Sequence, residues 1–312
     1  MTDAGCSGVL VVDKPAGATS FDMVARLRRR LGVRRIGHAG TLDPDAVGVL
    51  PLLIGEATKL VGYLLDESKE YVATVRFGVT TDSQDLSGRV LSTAPVPLLT
   101  PEGLAAATRP FVGRIRQVPP MFSAVHHDGR RLYELARAGV EVPREAREAI
   151  AHEIVVEDVG EATARLRIVC GRGTYIRTLA ADLGTALGCG AAIERLVRTR
   201  VGPFDLPGAT TAAEIATVAP DVLWARVLPP EAALGHWRAF RLDAPAAQAF
   251  VHGQRVGVPG PTSTTAAPAA LVRIHDERGR LLGVGEMSDD GRAVKPVRVL
   301  HADRPGPRVL SI

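Results

Sequence analysis

The sequence contains few cysteines, few aromatic residues and no long apolar run. Its three cysteines, Cys6, Cys170 and Cys189, are too widely spaced for a CxxC metal knuckle and do not form a disulfide framework. No window approaches the roughly 18 uninterrupted apolar residues of a membrane-spanning helix. The segment up to Gly8 carries no lysine or arginine, so we expect no secretory signal. These absences predict a soluble protein of a reducing compartment, the cytoplasm.

Several common catalytic motifs are absent as well. The sequence has no P-loop, no Rossmann glycine fingerprint after a strand and no G-x-S-x-G nucleophile elbow. His152-Glu153 begins like the helix of a zinc protease, but the position of the second histidine holds Val156. Ser123 with the nearby pair His126-His127 is more typical of surface polar residues than of a catalytic triad. We therefore expect neither a metal ion nor a cofactor.

The composition is that of a folded protein, with 46% hydrophobic and 23% charged residues. The length of 312 residues suits two domains at about 150 residues each. Aromatic residues make up only 4%, so aliphatic side chains must form the core. The formal net charge is +4, and 34 of the 38 basic residues are arginines.

The arginines are unevenly distributed along the chain. Residues 26–35 hold six arginines and no acidic residue, and Arg109, Arg114 and Arg116 form a second group. Such stretches are typical of surfaces that bind the phosphate backbone of a nucleic acid. A solvated helix face gives the same pattern, and composition leaves both interpretations open.

The N-terminal region begins with a predicted strand and helix. The apolar run from Val9 to Val12 predicts a strand that ends at Asp13-Lys14-Pro15. Thr19 or Ser20 can cap a following helix, which ends near Gly32.

Two later segments alternate between apolar and polar residues. The alternation predicts half-buried strands over residues 71–77 and 164–170. The second strand leads through a glycine-bounded turn into a helix from about Thr174. Residues 92–103, which contain proline and threonine, predict a loop.

The C-terminal region predicts a separate, small all-β unit. We place the boundary between Pro229 and Arg238, so that mixed α and β structure precedes it. Residues 258–270 are low in charge and rich in proline, threonine and alanine, which predicts a flexible loop. The predicted short strands cover residues 238–242, 271–275, 281–287 and 294–300.

The first candidate site segment is Gly-His-Ala-Gly-Thr-Leu-Asp-Pro over residues 37–44. Its Asp43 precedes a proline, which restrains the aspartate to extended geometry in a glycine-bracketed loop. A restrained carboxylate suits catalysis, but an ordinary Asp-Pro turn has the same spacing, and spacing alone favours the turn.

The second candidate segment covers residues 173–179, at a predicted junction of strand and helix. Tyr175 and Arg177 fall in the first helical turn, from which both can project into a cleft. An arginine is electrostatically unfavourable at a helix N-terminus, so we expect a carboxylate partner for Arg177 elsewhere in the chain. The alternative is an unpaired surface arginine.

These segments, taken together with others, resemble the TruB/dyskerin family of pseudouridine synthases. The resemblance is collinear from about residue 8 to about residue 300. Two features depart from the family pattern: a longer C-terminal loop at 258–270, and Val197 where an arginine is common. The matching stretches are DKPAGATSFD (13–22), GHAGTLDPDAVGVLP (37–51), KEYVATVRFGVTTDSQDLSG (69–88), PPMFSAVHHDGRRLYELARAGVEVPREAR (119–147) and GRGTYIRTLAADLG (171–184).

The resemblance implies an α/β (α+β) pseudouridine synthase fold, built on a mixed, largely antiparallel sheet. It implies a catalytic domain over residues 1–235, with an RNA-binding segment at about 100–150, and a PUA-like RNA-binding β domain over residues 236–312. The implied activity is isomerisation of a T-loop uridine, position 55 of tRNA, to pseudouridine. The implied partner is the T arm of tRNA, bound by a monomer that requires no cofactor, metal or membrane.

The sequence is also compatible with an alternative function, that of an RNA-binding or tRNA-folding protein in which catalysis is not the essential role. The presence of both Asp43 and Arg177 favours the enzyme, because a binding module has no reason to keep the pair.

Pseudouridine formation breaks the N1–C1′ bond, turns the base over and joins C5 to C1′. The reaction needs an ionised carboxylate beside the ribose, as a nucleophile at C1′ or as a base at C2′. The resemblance assigns this part to Asp43, with Arg177 as its paired cation. It assigns Tyr71 to packing on the target base, with its hydroxyl as a candidate for removing the proton from C5. Leu196 is implied as an apolar wall of the same pocket.

The remaining residues are implied as substrate-binding. The target base must leave its stack, and the resemblance implies that His38 fills the vacated space. Lys14 and Pro15 are implied at the floor of the pocket, and Tyr175 and Arg198 complete the predicted set. The Arg-rich helix and residues 109–147 are the expected phosphate-contacting surfaces.

Overall fold

The computed structural model describes residues 7–258 and 270–300, which contain eight α-helices, three short 3-10 helices and nineteen strands. The helices are α1 (Ser20–Leu31), α2 (Val61–Asp66), α3 (Pro101–Thr108), α4 (Leu132–Arg137), α5 (Ile176–Ala186), α6 (Ala212–Thr217), α7 (Pro220–Ala225) and α8 (Ala244–Val251). The 3-10 helices are Gly55–Leu60, Arg109–Phe111 and Pro230–Leu234. The strands are β1 (Gly8–Lys14), β2 (Ile36–His38), β3 (Val47–Ile54), β4 (Lys69–Phe77), β5 (Val79–Thr81), β6 (Val90–Thr93), β7 (Gly113–Gln117), β8 (His126–His127), β9 (Arg130–Arg131), β10 (Arg147–Val159), β11 (Thr163–Cys170), β12 (Ala191–Val201), β13 (Phe204–Asp205), β14 (Thr210–Thr211), β15 (Ala239–Arg241), β16 (Val256–Gly257), β17 (Leu271–His275), β18 (Leu281–Met287) and β19 (Ala293–Val299).

A ten-stranded sheet forms the frame of the molecule, in the order β14-β1-β3-β12-β4-β11-β10-β7, with β2 on β3 and β13 on β12. The pairs β1–β14 and β3–β12 are parallel, and the other pairs are antiparallel. The predicted mixed, largely antiparallel sheet is therefore confirmed. Two separate ribbons, β5–β6 and β8–β9, lie outside it.

Helix α1 begins and ends where its sequence predicts. Thr19 accepts a hydrogen bond from the Asp22 backbone N–H, and the Asp22 carboxylate accepts one from the Thr19 backbone, which completes a capping box. Gly32 ends the helix with φ of 67°, a left-handed conformation that suits glycine. Met23 and Leu27 are fully buried and fix the helix on the sheet.

The central strands β4 and β11 confirm the predicted alternation, and β12 lies beside β4 in the same sheet. Ala73 and Val75 of β4 are fully buried and belong to the same core cluster as Leu183 of α5. Tyr71 of β4 lies opposite Arg198 of β12, so the two side chains share one face of the sheet.

Close approach of β3 to β12 requires a glycine at position 48. Gly48 has φ of +103°, and a Cβ placed there would lie 2.2 Å from the Arg198 carbonyl oxygen. A larger residue would push the two strands apart and displace Arg198.

Residues 92–103 form a loop only in part. Strand β6 extends to Thr93, and α3 begins at Pro101, where Thr100 accepts a hydrogen bond from the Gly103 backbone N–H. A threonine cap followed by proline at the first helical position favours the start of a helix. The loop prediction was therefore wrong for residues 101–103.

The C-terminal sheet has the order β15-β17-β18-β19-β16, and the four predicted strands are present within it. The region is not all-β, because α8 packs on this sheet with Phe250 fully buried. Asp243 caps that helix by accepting from the Ala246 backbone N–H. Within the predicted flexible loop, residues 259–269 lie outside the described residues.

The C-terminal sheet packs on the first unit. Leu281 and Val284 join a core cluster with Leu60 and Leu64, which follow β3. Lys59 Nζ also donates to the Val299 carbonyl oxygen at 2.7 Å. No helix among the described residues is both long and apolar enough to span a membrane.

Candidate active site

A cavity of about 270 Å³ is formed by the loop after β2, strands β4 and β12, residues 123–124 and the start of α5. Lys14, Pro15 and His38 lie outside its wall. The predicted site residues that line the cavity are Asp43, Tyr71, Tyr175, Arg177, Leu196 and Arg198.

Asp43 and Arg177 form a two-pronged ion pair. Arg177 Nε lies 2.9 Å from Asp43 Oδ2, and Arg177 Nη2 donates to Asp43 Oδ1 at 3.1 Å. The two residues are 134 positions apart, so the sheet and α5 bring them together. The expected carboxylate partner of Arg177 is therefore present, and the planar fork fixes the direction of the carboxylate.

Arg177 is held by further contacts on its other side. Its Nη1 donates to the Ser83 carbonyl at 2.8 Å, and its Nη2 donates to the Phe122 carbonyl at 2.7 Å. Asp85 Oδ2 lies 3.7 Å from Nη1. With a side chain only 6% exposed, Arg177 has one orientation, which points at Asp43.

Asp85 is a second carboxylate of this site that the sequence reasoning missed. It lies in the turn after β5, where Ser83 Oγ and Ser87 Oγ each donate to Asp85 Oδ1 at 2.6 Å. The stretch 69–88 supported the family resemblance, but no local pattern connects Asp85 with Arg177. The local sequence shows a serine two residues before Asp85 and another two residues after it. This pattern indicates a well-ordered turn and nothing about Arg177.

The pKa of Asp43 reflects opposing effects. Burial raises the pKa of this carboxyl above its ordinary value, and the nearby Asp85 acts in the same direction. Arg177 opposes both through its charge and its hydrogen bond, and Lys14 opposes them more weakly. The Asp43 side chain remains 39% exposed, on a surface that lines the cavity, so a bound molecule can reach it.

The loop that carries Asp43 is anchored by Arg198 and Lys14. The side chain of Arg198 is almost fully buried, and it donates to the Val49 carbonyl at 2.8 Å and to the Gly40 carbonyl at 3.0 Å. Lys14 Nζ donates to the carbonyls of Pro15, Ala18 and Pro44 at 2.9, 2.6 and 2.8 Å. Lys14 therefore lies behind the loop, and Pro15 is held there with it, instead of facing the cavity.

The charge of Lys14 persists at neutral pH. Burial lowers the pKa of its ammonium group to about 8, and Asp45 and Asp43 oppose the change. An ammonium group has the three N–H donors that the three carbonyls require.

Tyr71 and Leu196 provide the apolar part of the wall. Tyr71 lies beside Arg198, and burial raises the pKa of its phenol, so the hydroxyl is neutral near pH 7. Leu196 lies opposite Ala73, two residues further along β4, and is 9% exposed. An aromatic ring and a leucine on one face of the sheet suit a flat, uncharged ring.

Tyr175 and His38 differ from the sequence expectation in position. Tyr175 is the N-cap of α5, with φ of −98° and ψ of 107°, so only Arg177 lies in the first turn. His38 lies in β2 opposite Leu52, and burial lowers the pKa of its imidazole. Its buried Nδ1 has no hydrogen-bond partner among the described residues.

Ser123 and His127 have different surroundings in the structure. Ser123 lines the cavity, but His127 pairs with the adjacent Asp128 in the β8–β9 ribbon, with 3.5 Å between Nε2 and Oδ2. Within residues 7–258 and 270–300, no three His, Cys, Asp or Glu side chains are grouped as a metal ion would require.

Exposed arginines on the large sheet differ in whether they are paired with an acidic residue. On the β4–β11 side of the sheet they are paired, as Arg165 is with Glu157 at 2.8 Å. Arg114 and Arg116 project from β7 and are exposed, and no acidic partner is found for them in the part of the chain that the structure describes. We call these two residues the β7 arginine strip.

Several arginines of helix α1 and of the residues after it bond to other parts of the protein. Arg28 donates to the Ile36 carbonyl at 2.8 Å, Arg30 donates to the Val218 carbonyl, and Arg35 pairs with Glu56 at 2.6 Å. Arg26 and Arg29 are exposed. The six arginines thus serve partly to hold the helix and only partly as a free basic surface.

Family models match nearly the whole chain. Residues 28–176 match the TruB family pseudouridylate synthase (N terminal domain). Residues 177–235 match the tRNA pseudouridylate synthase B C-terminal domain. Residues 239–300 match the model described as Pseudouridine synthase II TruB, C-terminal.

Similar proteins cover the same length. The chain is 43% identical over 293 residues to tRNA pseudouridine synthase B of Aromatoleum aromaticum, covering 94% of this chain and 92% of that protein. It is 45% identical over 303 residues to tRNA pseudouridine synthase B of Moorella thermoacetica, covering 94% and 99%. Among solved structures, a Cbf5-Nop10-Gar1 complex superposes with a TM-score of 0.72 at 26% identity, over 96% of this chain and 87% of that one.

Proposed function

The chain belongs to the TruB family of pseudouridine synthases, and we propose that it isomerises the T-loop uridine at position 55 of tRNA to pseudouridine. The observation that carries the proposal is the ion pair of Asp43 and Arg177 in the wall of a cavity. It occurs in a chain that is alignable, over more than nine-tenths of its length, with tRNA pseudouridine synthases B.

In this proposal Asp43 performs the central step. Its carboxylate acts beside the ribose of the target uridine, as the nucleophile at C1′ or as the base at C2′, while the N1–C1′ bond breaks. Arg177 contacts both oxygens of Asp43, through a hydrogen bond to Oδ1 and at ion-pair distance from Oδ2, and each oxygen retains a lone pair for the ribose. The carboxylate therefore reaches the ribose in a fixed direction.

Arg177 has an electrostatic role in the same step. Because burial raises the pKa of Asp43, the neutral acid would otherwise gain population near neutral pH. The guanidinium group favours the ionised form that both mechanisms need. The detached base then turns over within the cavity and joins C5 to C1′.

Tyr71 and Leu196 hold the base during this rotation. The volume of about 270 Å³ lies near the lower end of the roughly 300–1,000 Å³ that ligand pockets span, which suits one flipped nucleotide. The Tyr71 phenol is neutral near pH 7, so its hydroxyl would take up the C5 proton only while it passes its own proton on to water. Tyr175 and Arg198 complete the pocket, and Lys14 and Pro15 support it from behind the loop.

The target uridine is stacked within folded RNA and must be extruded before it enters the cavity. We assign His38 to the space that the base leaves. The imidazole is neutral near pH 7, because burial lowers its pKa, and a neutral ring can stack without the cost of burying a charge.

RNA is held by surfaces outside the cavity. Within a catalytic domain over residues 1–235, the segment at about 100–150 contacts phosphates, and its β7 arginine strip is exposed for this purpose. The PUA-like domain over residues 236–312 contacts RNA distant from the target loop. We propose that the enzyme acts on tRNA as a monomer in the cytoplasm.

Substitution of Asp43 by asparagine tests the function. The amide can neither attack C1′ nor accept the C2′ proton, so we expect no pseudouridine in a single-turnover reaction with tRNA. Binding should stay within a few fold of wild type, because the RNA surfaces are unchanged. Conversion by the Asp43→Asn protein would contradict the assignment. Absence of conversion by the wild-type protein would favour an RNA-binding or tRNA-folding role.

A further inference from the structure

Gln117 is a buried polar residue, and both hydrogen bonds of its side chain go to Tyr175 among the described residues. It ends β7 and is 3% exposed. Its Nε2 donates to the Tyr175 carbonyl at 3.1 Å, and its Oε1 accepts from the Tyr175 backbone N–H at 3.0 Å. The reversed amide would point N–H at N–H and oxygen at oxygen, so the two bonds fix its orientation. One side chain thereby binds both backbone polar groups of one residue, as a neighbouring strand would.

Tyr175 controls how α5 begins. It is the N-cap of that helix and makes no side-chain capping bond. Its carbonyl accepts the backbone N–H of Leu179 at 3.0 Å, so the first turn of α5 is built on this peptide. Arg177 lies in that first turn, and rotation of the Tyr175 peptide would move the guanidinium group relative to Asp43.

The preceding turn does not fix Tyr175 by itself. Gly173 has φ of +81°, a conformation that glycine adopts without restraint. The Gly171 backbone N–H donates to the Ile150 carbonyl at 2.9 Å, and Thr174 Oγ1 donates to the same carbonyl at 3.2 Å. These bonds hold the turn in place as far as Thr174. The hydrogen bonds from Gln117 hold the next residue, Tyr175.

The residues that follow Gln117 also contact Arg177. Five residues after Gln117, the carbonyl of Phe122 accepts a hydrogen bond from Arg177 Nη2 at 2.7 Å. The segment 117–122 therefore binds the start of α5 at its backbone, through Gln117, and at its catalytic side chain, through Phe122.

We propose that Gln117 is a positioning residue for the isomerisation: it fixes the Tyr175 peptide and thereby aims Arg177 at Asp43. The proposal rests on the function proposed above. It predicts that loss of the Gln117 amide lowers the rate of the chemical step while the binding of tRNA is retained. A merely structural role predicts lower thermal stability with a normal rate in the protein that remains folded.

Two substitutions of similar size test the proposal. Gln117→Met removes both hydrogen bonds and keeps the volume. Gln117→Glu keeps the acceptor for the Tyr175 N–H, but its second oxygen faces the Tyr175 carbonyl and can donate only when protonated. Gln248→Met, on the exposed side of α8, is the matched control.

Each protein is compared in single-turnover pseudouridine formation at saturating tRNA, with Kd for tRNA and the thermal unfolding midpoint measured on the same samples. We expect Gln117→Met to lower the rate at least tenfold with Kd within threefold of wild type. The ratio of the Gln117→Glu rate to the wild-type rate should rise as the pH falls from 8 to 6. Gln248→Met should match wild type in the single-turnover rate at saturating tRNA and in the thermal unfolding midpoint.

Several results would overturn the proposal. One is a Gln117→Met rate equal to that of the wild type. Another is a Gln117→Glu rate that is the same fraction of wild type at every pH. Variants that fail to fold, or whose losses follow thermal unfolding, would assign Gln117 to stability and also overturn it. A wild-type protein without conversion would instead refute the function itself, and the control reactions distinguish these cases.

Discussion

Replacing Arg177 by methionine tests the central ion pair of the site. The change removes the contacts to Asp43 at 2.9 and 3.1 Å and leaves the carbonyls of Ser83 and Phe122 without this donor. A hydrogen bond to a charged group contributes about 1.5–3 kcal/mol. Because Asp43 is 39% exposed, we count the two contacts as one such bond to allow for solvent screening. The expected loss of rate is then roughly 10- to 150-fold.

The pH dependence of this loss identifies its cause. Burial and Asp85 raise the pKa of Asp43, and Arg177 is the main effect that opposes them. Without Arg177 the pKa of Asp43 rises further, so a larger fraction of the carboxyl is protonated and inactive at neutral pH. Raising the pH restores the carboxylate. The ratio of the Arg177→Met rate to the wild-type rate should therefore increase with pH, and the acidic limb of the profile should move to higher pH.

The assay is single-turnover pseudouridine formation at saturating tRNA between pH 5.5 and 9. Arg177→Lys keeps a cation but loses the planar fork, so we expect a rate between those of Arg177→Met and the wild type. Arg165→Met is a matched control, because Arg165 is also paired with a carboxylate, that of Glu157, but lies outside the cavity. Its rate should equal that of the wild type at every pH.

One result would refute the electrostatic argument outright. If Arg177→Met were as active as the wild type with an unchanged acidic limb, the ion pair would have no part in ionising Asp43. A lower rate with an unchanged limb would keep a positioning role for Arg177 and remove the electrostatic one. Thermal unfolding of each variant shows that the rates refer to folded protein, since breaking a buried pair also destabilises a fold.

Three further predictions concern the binding of RNA. His38→Ala should slow conversion of folded tRNA moderately and spare a short unstructured RNA with the same target, and equal slowing of both would exclude a role in extrusion. Removing both residues of the β7 arginine strip, Arg114 and Arg116, should lower the log–log salt slope of tRNA binding by about 0.7–0.9 for each phosphate that the protein no longer neutralises, whereas Arg165→Ala should leave the slope unchanged. Lys295→Ala removes an exposed cation of β19 in the PUA-like domain, so it should weaken the binding of full tRNA but not of a T-arm hairpin, as equilibrium titrations of the two RNAs would show.

Local sequence signals predicted the parts of the fold that depend on local physics. Thr19, Asp22 and Gly32 set the ends of α1 because capping bonds and a left-handed glycine act within one turn. Alternating apolar residues predicted β4 and β11, because a half-buried sheet imposes a period of two. The family resemblance then identified Asp43 and Arg177, and both residues line the cavity.

The features that were not predicted depend on contacts between distant parts of the chain. Asp85 joins Arg177 from 92 positions away, and nothing near either residue encodes that contact. Gln117 carries no local sign of its burial, because its partner Tyr175 lies 58 positions further along the chain. Helix α8 was missed because its alanine-rich segment has a weak apolar pattern, although Asp243 provides a cap.

The ionisation of Asp43 depends on how the fold uses its buried cations. Lys14 and Arg198 donate to carbonyl oxygens at Pro44 and Gly40, on either side of Asp43, so neither charge forms an ion pair with that carboxylate. Backbone carbonyls satisfy the donors of both cations without neutralising them, and Lys14 consequently still lowers the pKa of Asp43. Among the cations of residues 7–258 and 270–300, Arg177 is the one that contacts the carboxylate directly. A burial cost that would protonate an isolated aspartate is thus opposed by one paired and one unpaired cation, and the same bonds that supply the charge also hold the loop in place.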